Sequence, residues 1–212
     1  MNQAVLAKND RLAERNRGYF RAKGLLVLNM VSAPGSGKTT FIQKTATALG
    51  SRLKTGVIVG DLATDNDAAR LRSAGVPVVQ ITTGTVCHLE AEMVARAMSQ
   101  LDLGALNLLI IENVGNLVCP AEFKLGEDLK VMILSVAEGH DKPLKYPLMF
   151  SESDVLIVNK IDLIPHTDFD MEALEDTVLK MNSRIVIFKM SCRTGEGVDA
   201  WISWLSKRVK ER

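Results

Sequence analysis

Leu25-Leu26-Val27-Leu28-Asn29-Met30-Val31 runs directly into Ser32-Ala33-Pro34-Gly35-Ser36-Gly37-Lys38-Thr39-Thr40, and a helical pattern over 39–49 follows. A largely apolar run, a glycine-bearing turn and an amphipathic stretch, in that order, are the strand, loop and helix that a phosphate-binding loop requires. Gly35 and Gly37 let the backbone turn its N–H groups toward a β-phosphate. Lys38 supplies a cation to the β and γ oxygens, and Thr39 offers a hydroxyl to Mg²⁺. Gly35, Ser36, Gly37, Lys38, Thr39 and Thr40 are therefore the candidate nucleotide cradle. The usual pattern begins with glycine; Ser32 holds that position here, and serine can still cap a turn. A glycine-rich turn that binds nothing does not account for Gly-Lys-Thr-Thr at a strand-to-helix junction.

The same alternation continues outward from this loop. Further buried strands are expected at 55–60, 77–81, 107–112, 131–136, 155–159 and 184–190, with helices at 67–73, 88–101, 169–181 and 198–210. With the strand at 25–31 this predicts an α/β fold: a doubly wound, mostly parallel sheet of about seven strands with helices on both faces. Ligands then belong at the carboxyl ends of the strands. Residues 2–23, rich in charge, read as a helical extension loosely packed ahead of a nucleotide-binding domain at 24–212.

Composition narrows the function. Of the 212 residues 47% are hydrophobic and 24% charged, with 15 glycines and 6 prolines, which excludes disordered and low-complexity classes. Lys plus Arg number 26 against 25 Asp plus Glu, so the net charge of +1 gives no field suited to nucleic acid or an anionic membrane. No apolar run approaches the roughly 18–20 residues that span a bilayer, and the polar, Arg-rich start lacks the apolar segment of a signal peptide. A cytoplasmic protein is expected. The cysteines, Cys87, Cys119 and Cys192, are three and show no C-x-x-C spacing, so each thiol needs its own explanation.

The base is chosen farther along. Asn159-Lys160-Ile161-Asp162 ends an apolar run, and the Asp162 carboxylate can accept from both the ring N–H and the exocyclic amine of guanine. Adenine offers no such pair, and a site built on this bidentate bond rejects it by roughly 10⁴-fold. Lys160 would lie along the base, and Asn159 would tie this loop to the phosphate loop. Ser191-Cys192-Arg193, after the last strand, would meet the guanine carbonyl with a backbone N–H, so Cys192 needs no thiol chemistry. Glu112-Asn113-Val114-Gly115 ends another strand: Glu112 can reach the Mg²⁺ shell, and the Gly115 N–H can sense a γ-phosphate. Gly60 to Asp67 brings Asp61, Asp65 and Asp67 to the γ-phosphate side. Asp61 is the candidate to orient water or help hold Mg²⁺, while Asp65 and Asp67 read equally as helix N-caps. Thr39, Asp61 and Glu112 are thus the candidate magnesium set, and Lys38, Asp61 and Glu112 the catalytic one.

Cys87-His88 stands at the head of the expected helix 88–101, and Cys119-Pro120 follows the Glu112 segment. Two thiols and an imidazole suit a borderline-soft ion such as Ni²⁺ or Zn²⁺, and a helix N-terminus would favour the Cys87 thiolate. Three ligands fall one short of a closed tetrahedron, which implies an open transfer site or completion by a second subunit. The spacing by itself is met equally by two unrelated core thiols. His140 and His166 stand singly in polar stretches and read as surface residues.

Together these segments resemble the HypB family, GTPases that help load nickel into [NiFe] hydrogenases. The resemblance runs from residue 32 to 204, through Gly60 to Asp67, Thr83-Gly84-Thr85-Val86-Cys87-His88-Leu89, Ile111 to Pro120, Glu138-Gly139-His140-Asp141-Lys142-Pro143-Leu144-Lys145-Tyr146-Pro147 and Asn159 to Leu163. It implies a P-loop NTPase of the SIMIBI-like GTPase class with slow turnover. It also implies a metal site at Cys87, His88 and Cys119 that lies across a GTP-promoted homodimer interface. A nickel-delivery accessory protein and a hydrogenase large-subunit precursor are the implied partners. Residues 1–30 carry neither the cysteine motif nor the histidine tract of some members, so only the nucleotide-coupled metal site is expected. Because Cys119 lies four residues beyond Gly115, a γ-phosphate contact and a metal bond would bias one another. The competing readings are a urease-type nickel GTPase, which usually places a proline between the cysteine and histidine, a nucleotide kinase, and a non-catalytic carrier clamped by nucleotide.

Overall fold

A computed structural model describes residues 3–61 and 66–212. In chain order the elements are α1 (Gln3–Ala22), β1 (Leu26–Ser32), α2 (Lys38–Leu49), β2 (Thr55–Asp61), α3 (Asn66–Ser73), β3 (Val78–Thr82), α4 (Ala91–Met98), β4 (Leu108–Glu112), α5 (Cys119–Glu122), β5 (Leu129–Ser135), α6 (Lys142–Lys145), α7 (Pro147–Ser151), β6 (Val155–Asn159), α8 (Met171–Met181), β7 (Val186–Lys189) and α9 (Val198–Lys210), with short 3₁₀ turns between some of them. The seven strands form one sheet in the order β3-β2-β4-β1-β5-β6-β7. Every pairing is parallel, so the sheet expected to be mostly parallel is wholly so.

All seven residues of β1 are buried, and β1 pairs with β4 on one side and β5 on the other. Its apolar side chains are covered on both faces, which is why the strand reads as a continuous run rather than an alternation. Asn29 is the polar exception at its middle, fully buried; its Nδ2 donates to Glu127 Oε1 at 3.0 Å and its Oδ1 accepts from Asn113 Nδ2 at 3.2 Å. One face of the sheet is closed by α2 and α9, where Trp201 lies buried against Phe41 and donates its Nε1 hydrogen to Thr45 Oγ1 at 3.0 Å. The chain reverses its direction of winding at β1, so the loops after β1, β2, β4 and β6 converge at one end of the sheet's middle, where a ligand site is expected.

Two expectations change. The helix expected at 88–101 is the shorter α4, because Leu89 is drawn into the core and its N–H donates to Asn113 Oδ1 at 3.0 Å, while Glu90 is extended at φ −111° and ψ 155°. Cys87 and His88 therefore sit in a loop ahead of the helix, outside the first turn where its dipole acts. Likewise α1 is not loosely packed. Its buried Asn9 donates to Lys124 O and accepts from Ala91 N, and the buried Asn16 donates to Ala91 O and Leu125 O at 2.8 and 3.1 Å. Phe20 is fully buried beside these anchors. Among the described residues no helix is long and apolar enough to cross a membrane.

The anchoring of α1 generates a direct test. Asn16→Ala leaves buried carbonyls without their side-chain donor, so it should lower the unfolding free energy by about 1–3 kcal/mol. The expected reading is a lower urea midpoint at unchanged m-value; an unchanged midpoint would mean that the Asn16 hydrogen bonds do not stabilise the seat of α1.

Candidate nucleotide and metal site

The loop between β1 and α2 lines a cleft of about 410 Å³ together with Asp61, Glu112 and Gly115. Gly37 has the left-handed conformation φ 97° and ψ 26°, and a Cβ there would lie 2.7 Å from Asn159 Nδ2. Both the backbone and the neighbour exclude a side chain. No side chain caps α2, so its first-turn N–H groups are left for an anion. Lys38 Nζ donates to Ser32 Oγ at 3.3 Å, which gives Ser32 a role that glycine could not fill. Thr40 Oγ1 accepts from Arg70 at 3.3 Å.

Thr39 Oγ1 donates to Glu112 Oε1 at 2.8 Å, and the buried Glu112 Oε2 has no hydrogen-bond partner. Burial pushes the Glu112 carboxyl up to about 7, against the pull of Lys38 and Thr39. Burial also lowers Lys38, opposed by Glu112, Asp67 and Asp61. Hard oxygen donors brought together with one lone pair set unused fit Mg²⁺. Asp61 ends β2 on the wall of the same cleft. Asp67 lies inside the first turn of α3 rather than capping it, and Asp65 lies outside the described residues. Gly115 rides against the phosphate loop: a Cβ on it would stand 3.2 Å from Pro34 Cγ and 3.3 Å from Pro34 N.

At the base side, Asn159 Nδ2 donates to Ser36 O at 2.9 Å while its Oδ1 accepts from Cys192 N at 3.1 Å. The expected tie to the phosphate loop is present, and it extends to the last loop as well. Lys160, the one non-glycine residue at positive φ (63°) among those described, sends Nζ to Gly35 O at 2.7 Å. Asp162 Oδ1 is buried without a hydrogen-bond partner. Ser191 Oγ accepts from Arg193 N and Thr194 N. One expectation needs correcting: the Cys192 N–H is already donated to Asn159, so Cys192 joins two loops rather than presenting a free donor to a base.

The structure also brings Cys87, His88 and Cys119 together. Cys87 Sγ lies 3.4 Å from Cys119 Sγ and 4.0 Å from His88 Nδ1, and one ligand atom from each residue falls within 4.8 Å of the others. The arrangement removes the reading of two unrelated core thiols. His88 Nε2 is buried without a hydrogen-bond partner. Burial lowers the His88 pKa against the opposing Glu90, which keeps the imidazole in its neutral, ligating form. Cys119 is pushed up, by burial first and the Cys87 thiol second, so a soft cation binding here displaces protons. His140 Nδ1 accepts from Asp170 N, and His166 is exposed; neither joins this cluster.

Sequence reasoning passed over four residues. The Phe123 ring packs on His88 at a 4.0 Å centroid distance. Glu138 Oε1 accepts from Ser36 Oγ at 2.6 Å and from Ser135 N at 2.9 Å. Asn113 and Asn116 hydrogen-bond to the backbone around His88. The last three lie inside segments that carry the resemblance, which was the available signal; nothing in the spacing marks Phe123.

Glu112 supplies a pH test of this geometry. Its native pKa of about 7 lies above the ordinary 4.5, so the native state binds more protons than the unfolded state between those values, and stability falls as pH rises through that window. Glu112→Gln should therefore stabilise the nucleotide-free and metal-free protein by about 2–3 kcal/mol at pH 8, and the gain should fade by pH 5. Denaturation at the two pH values checks both sign and window.

Residues 26–189 match the family model described as CobW/HypB/UreG, nucleotide-binding domain. The hydrogenase maturation factor HypB of Azotobacter chroococcum mcd 1 is 53% identical over 208 residues, covering 98% of this chain and 68% of that protein. The hydrogenase/urease maturation factor HypB of Helicobacter pylori strain J99 is 42% identical over 213 residues, covering 99% of this chain and 87% of that protein. The crystal structure of HypB from Helicobacter pylori in complex with nickel superposes with a TM-score of 0.92 at 40% identity, covering 96% of each chain. Sequence and fold agree over nearly the whole length, and the chain belongs to the CobW/HypB/UreG family of nucleotide-binding domains.

Proposed function

We propose that this chain is a GTP-hydrolysing metallochaperone that delivers nickel during maturation of [NiFe] hydrogenase, with dimerisation on GTP coupled to metal binding and release. The observation that carries the reading is the continuity of the two sites. One segment, from Glu112 to Cys119, begins at the phosphate cleft and ends at the thiol and imidazole cluster. The buried, unpartnered Asp162 Oδ1 supports guanine as the base, since a purine with two adjacent donors would satisfy it.

Within this reading Gly35, Ser36, Gly37, Lys38, Thr39 and Thr40 hold the phosphates, and Asn159, Lys160 and Asp162 form the base pocket, with the Ser191 loop held beside it by the bond from Cys192 N to Asn159. Thr39 and Glu112, with Asp61, would hold Mg²⁺, which neutralises charge on the β and γ oxygens when bound. Lys38 supplies the second cation. Asp61 orients water, and the Gly115 N–H reports on the γ-phosphate. Nickel is cargo rather than a resident cofactor; Cys87, His88 and Cys119 offer it two thiolates and a neutral imidazole, and Zn²⁺ competes for the same donors. Three ligands leave an open position for transfer, or for a ligand from a second copy of the chain in a homodimer. The partners of this reading are a nickel-donating accessory protein and a hydrogenase precursor. The Helicobacter pylori relative, whose name also includes urease, favours urease maturation as a second reading.

The test measures Ni²⁺ binding to the wild type, Cys87→Ala and Cys119→Ala, each with GDP and with a non-hydrolysable GTP analogue, while light scattering follows mass. Both variants should lose nickel binding, and the wild type should change affinity and mass between nucleotides. Nickel binding unchanged in the variants would overturn the reading, and GTP binding with no turnover would leave a nucleotide-clamped carrier. Asp162→Ala should weaken GTP by at least about 10²-fold without improving ATP, as a competition assay would show.

A further inference from the structure

Asn116 stands one residue beyond Gly115, and its side chain touches the backbone of both cysteine segments. Its Nδ2 donates to Cys87 O at 3.2 Å, and its Oδ1 accepts from Val118 N, the residue before Cys119, at 2.9 Å. Asn113, on the other side of Val114 and Gly115, accepts from Leu89 N and Val114 N, each at 3.0 Å. The two asparagines thus grip the chain on either side of His88.

Their surroundings differ. Asn113 is fully buried, its Nδ2 donates to Asn29 Oδ1 in β1, and its N–H extends the strand ladder to Met30 O at 3.0 Å. That makes it the fixed end. Asn116 is half-buried and borders Gly115, which is packed on Pro34 of the phosphate loop. Any displacement of Gly115 relative to that loop moves the Asn116 amide, and with it both Cys87 O and Val118 N.

We propose that Asn116 is the positioning residue that converts the state of the phosphate cleft into the separation of Cys87 and Cys119, with Asn113 as the fixed pivot. The proposal rests on the reading of GTP-gated nickel transfer. Asn116 ligates neither metal nor nucleotide in this role; it acts on both thiols through the backbone, and on Cys119 also through a side-chain hydrogen bond to the thiol. A two-state loop biased from both ends is the physical form that coupling between sites must take.

Two variants separate the bonds. Asn116→Ala removes both backbone links together with the side-chain contact to the Cys119 thiol, whereas Asn116→Asp keeps an acceptor for Val118 N and loses the donor to Cys87 O. The measured quantity is the ratio of Ni²⁺ dissociation constants with GDP and with the GTP analogue, in which any change common to both states cancels. Nickel–thiolate charge-transfer absorption in each state gives a second readout. Both variants should keep wild-type affinity for the two nucleotides, lose at least about fivefold of the ratio, and show the same absorption in either state. A folded Asn116→Ala protein with the wild-type ratio overturns the proposal. So does an Asn116→Asp protein that keeps the ratio while Asn116→Ala loses it, since the link to Cys87 would then be idle. A wild type with no ratio would instead sink gated transfer itself, and the positioning role with it.

Discussion

A fully buried amide at the centre of the central strand is the constraint around which this molecule is arranged. Unpaired, Asn29 would cost about 1–3 kcal/mol for each stranded group, and a strand of Val, Leu and Met offers it nothing. Glu127 and Asn113 meet it from opposite sides. Glu127 in turn accepts from Leu125 N at 2.7 Å, in the loop that receives Asn16 of α1. Asn113 takes Leu89 N and Val114 N. One polar position in β1 therefore fixes the seat of the first helix, the loop ahead of α4 and the start of the Glu112–Cys119 segment. Buried networks of this kind specify one arrangement because any alternative leaves several members unsatisfied.

The strands were legible because burial on both faces leaves an unbroken apolar signature, and all seven appear within a few residues of where the runs occur. The phosphate loop was legible because its chemistry demands particular residue types at contiguous positions. What escaped was whatever depends on contacts distant in the chain. Leu89 fits a helical stripe in sequence, yet Asn113 claims its N–H and holds it outside the helix. The seat of α1 on Asn9 and Asn16 resembles solvated polarity until the carbonyls of Ala91, Lys124 and Leu125 are seen to meet it. Cys87 and Cys119 share no local pattern; Cys87 follows β3 and Cys119 follows β4, and their approach comes from β3 and β4 running parallel on either side of β2, which carries the loops they feed to the same end of the sheet.

The electrostatics of the cleft are those of an incomplete charge set. Lys38 and Glu112 are both shifted by burial toward their neutral forms, each partly restrained by the other. Cations and carboxylates of this kind persist in a fold when a ligand supplies the opposite charges, since the desolvation cost is then offset by short, well-directed interactions. A nucleotide triphosphate with a divalent cation is such a ligand, and both halves are needed: phosphate for Lys38 and the free α2 N–H groups, a cation for Glu112 and Thr39.

The eight residues from Glu112 to Cys119 then join two sites of opposite character. At one end are hard oxygens suited to Mg²⁺; at the other, sulfur and imidazole suited to nickel. Donor sets so different would let both ions be present without exchanging places, although the sites share a single short segment. A segment rigid throughout would hold both sites in one state and transmit nothing, while one loose throughout would let each site move alone. The observed segment is graded: Asn113 is locked into the sheet, Gly115 is pressed on the phosphate loop without a side chain, and Asn116 is tied to both cysteine backbones. Under the proposed function, linkage requires that whatever nickel does to this segment is returned to the nucleotide with equal magnitude, so cargo as well as nucleotide would set the state of the loop.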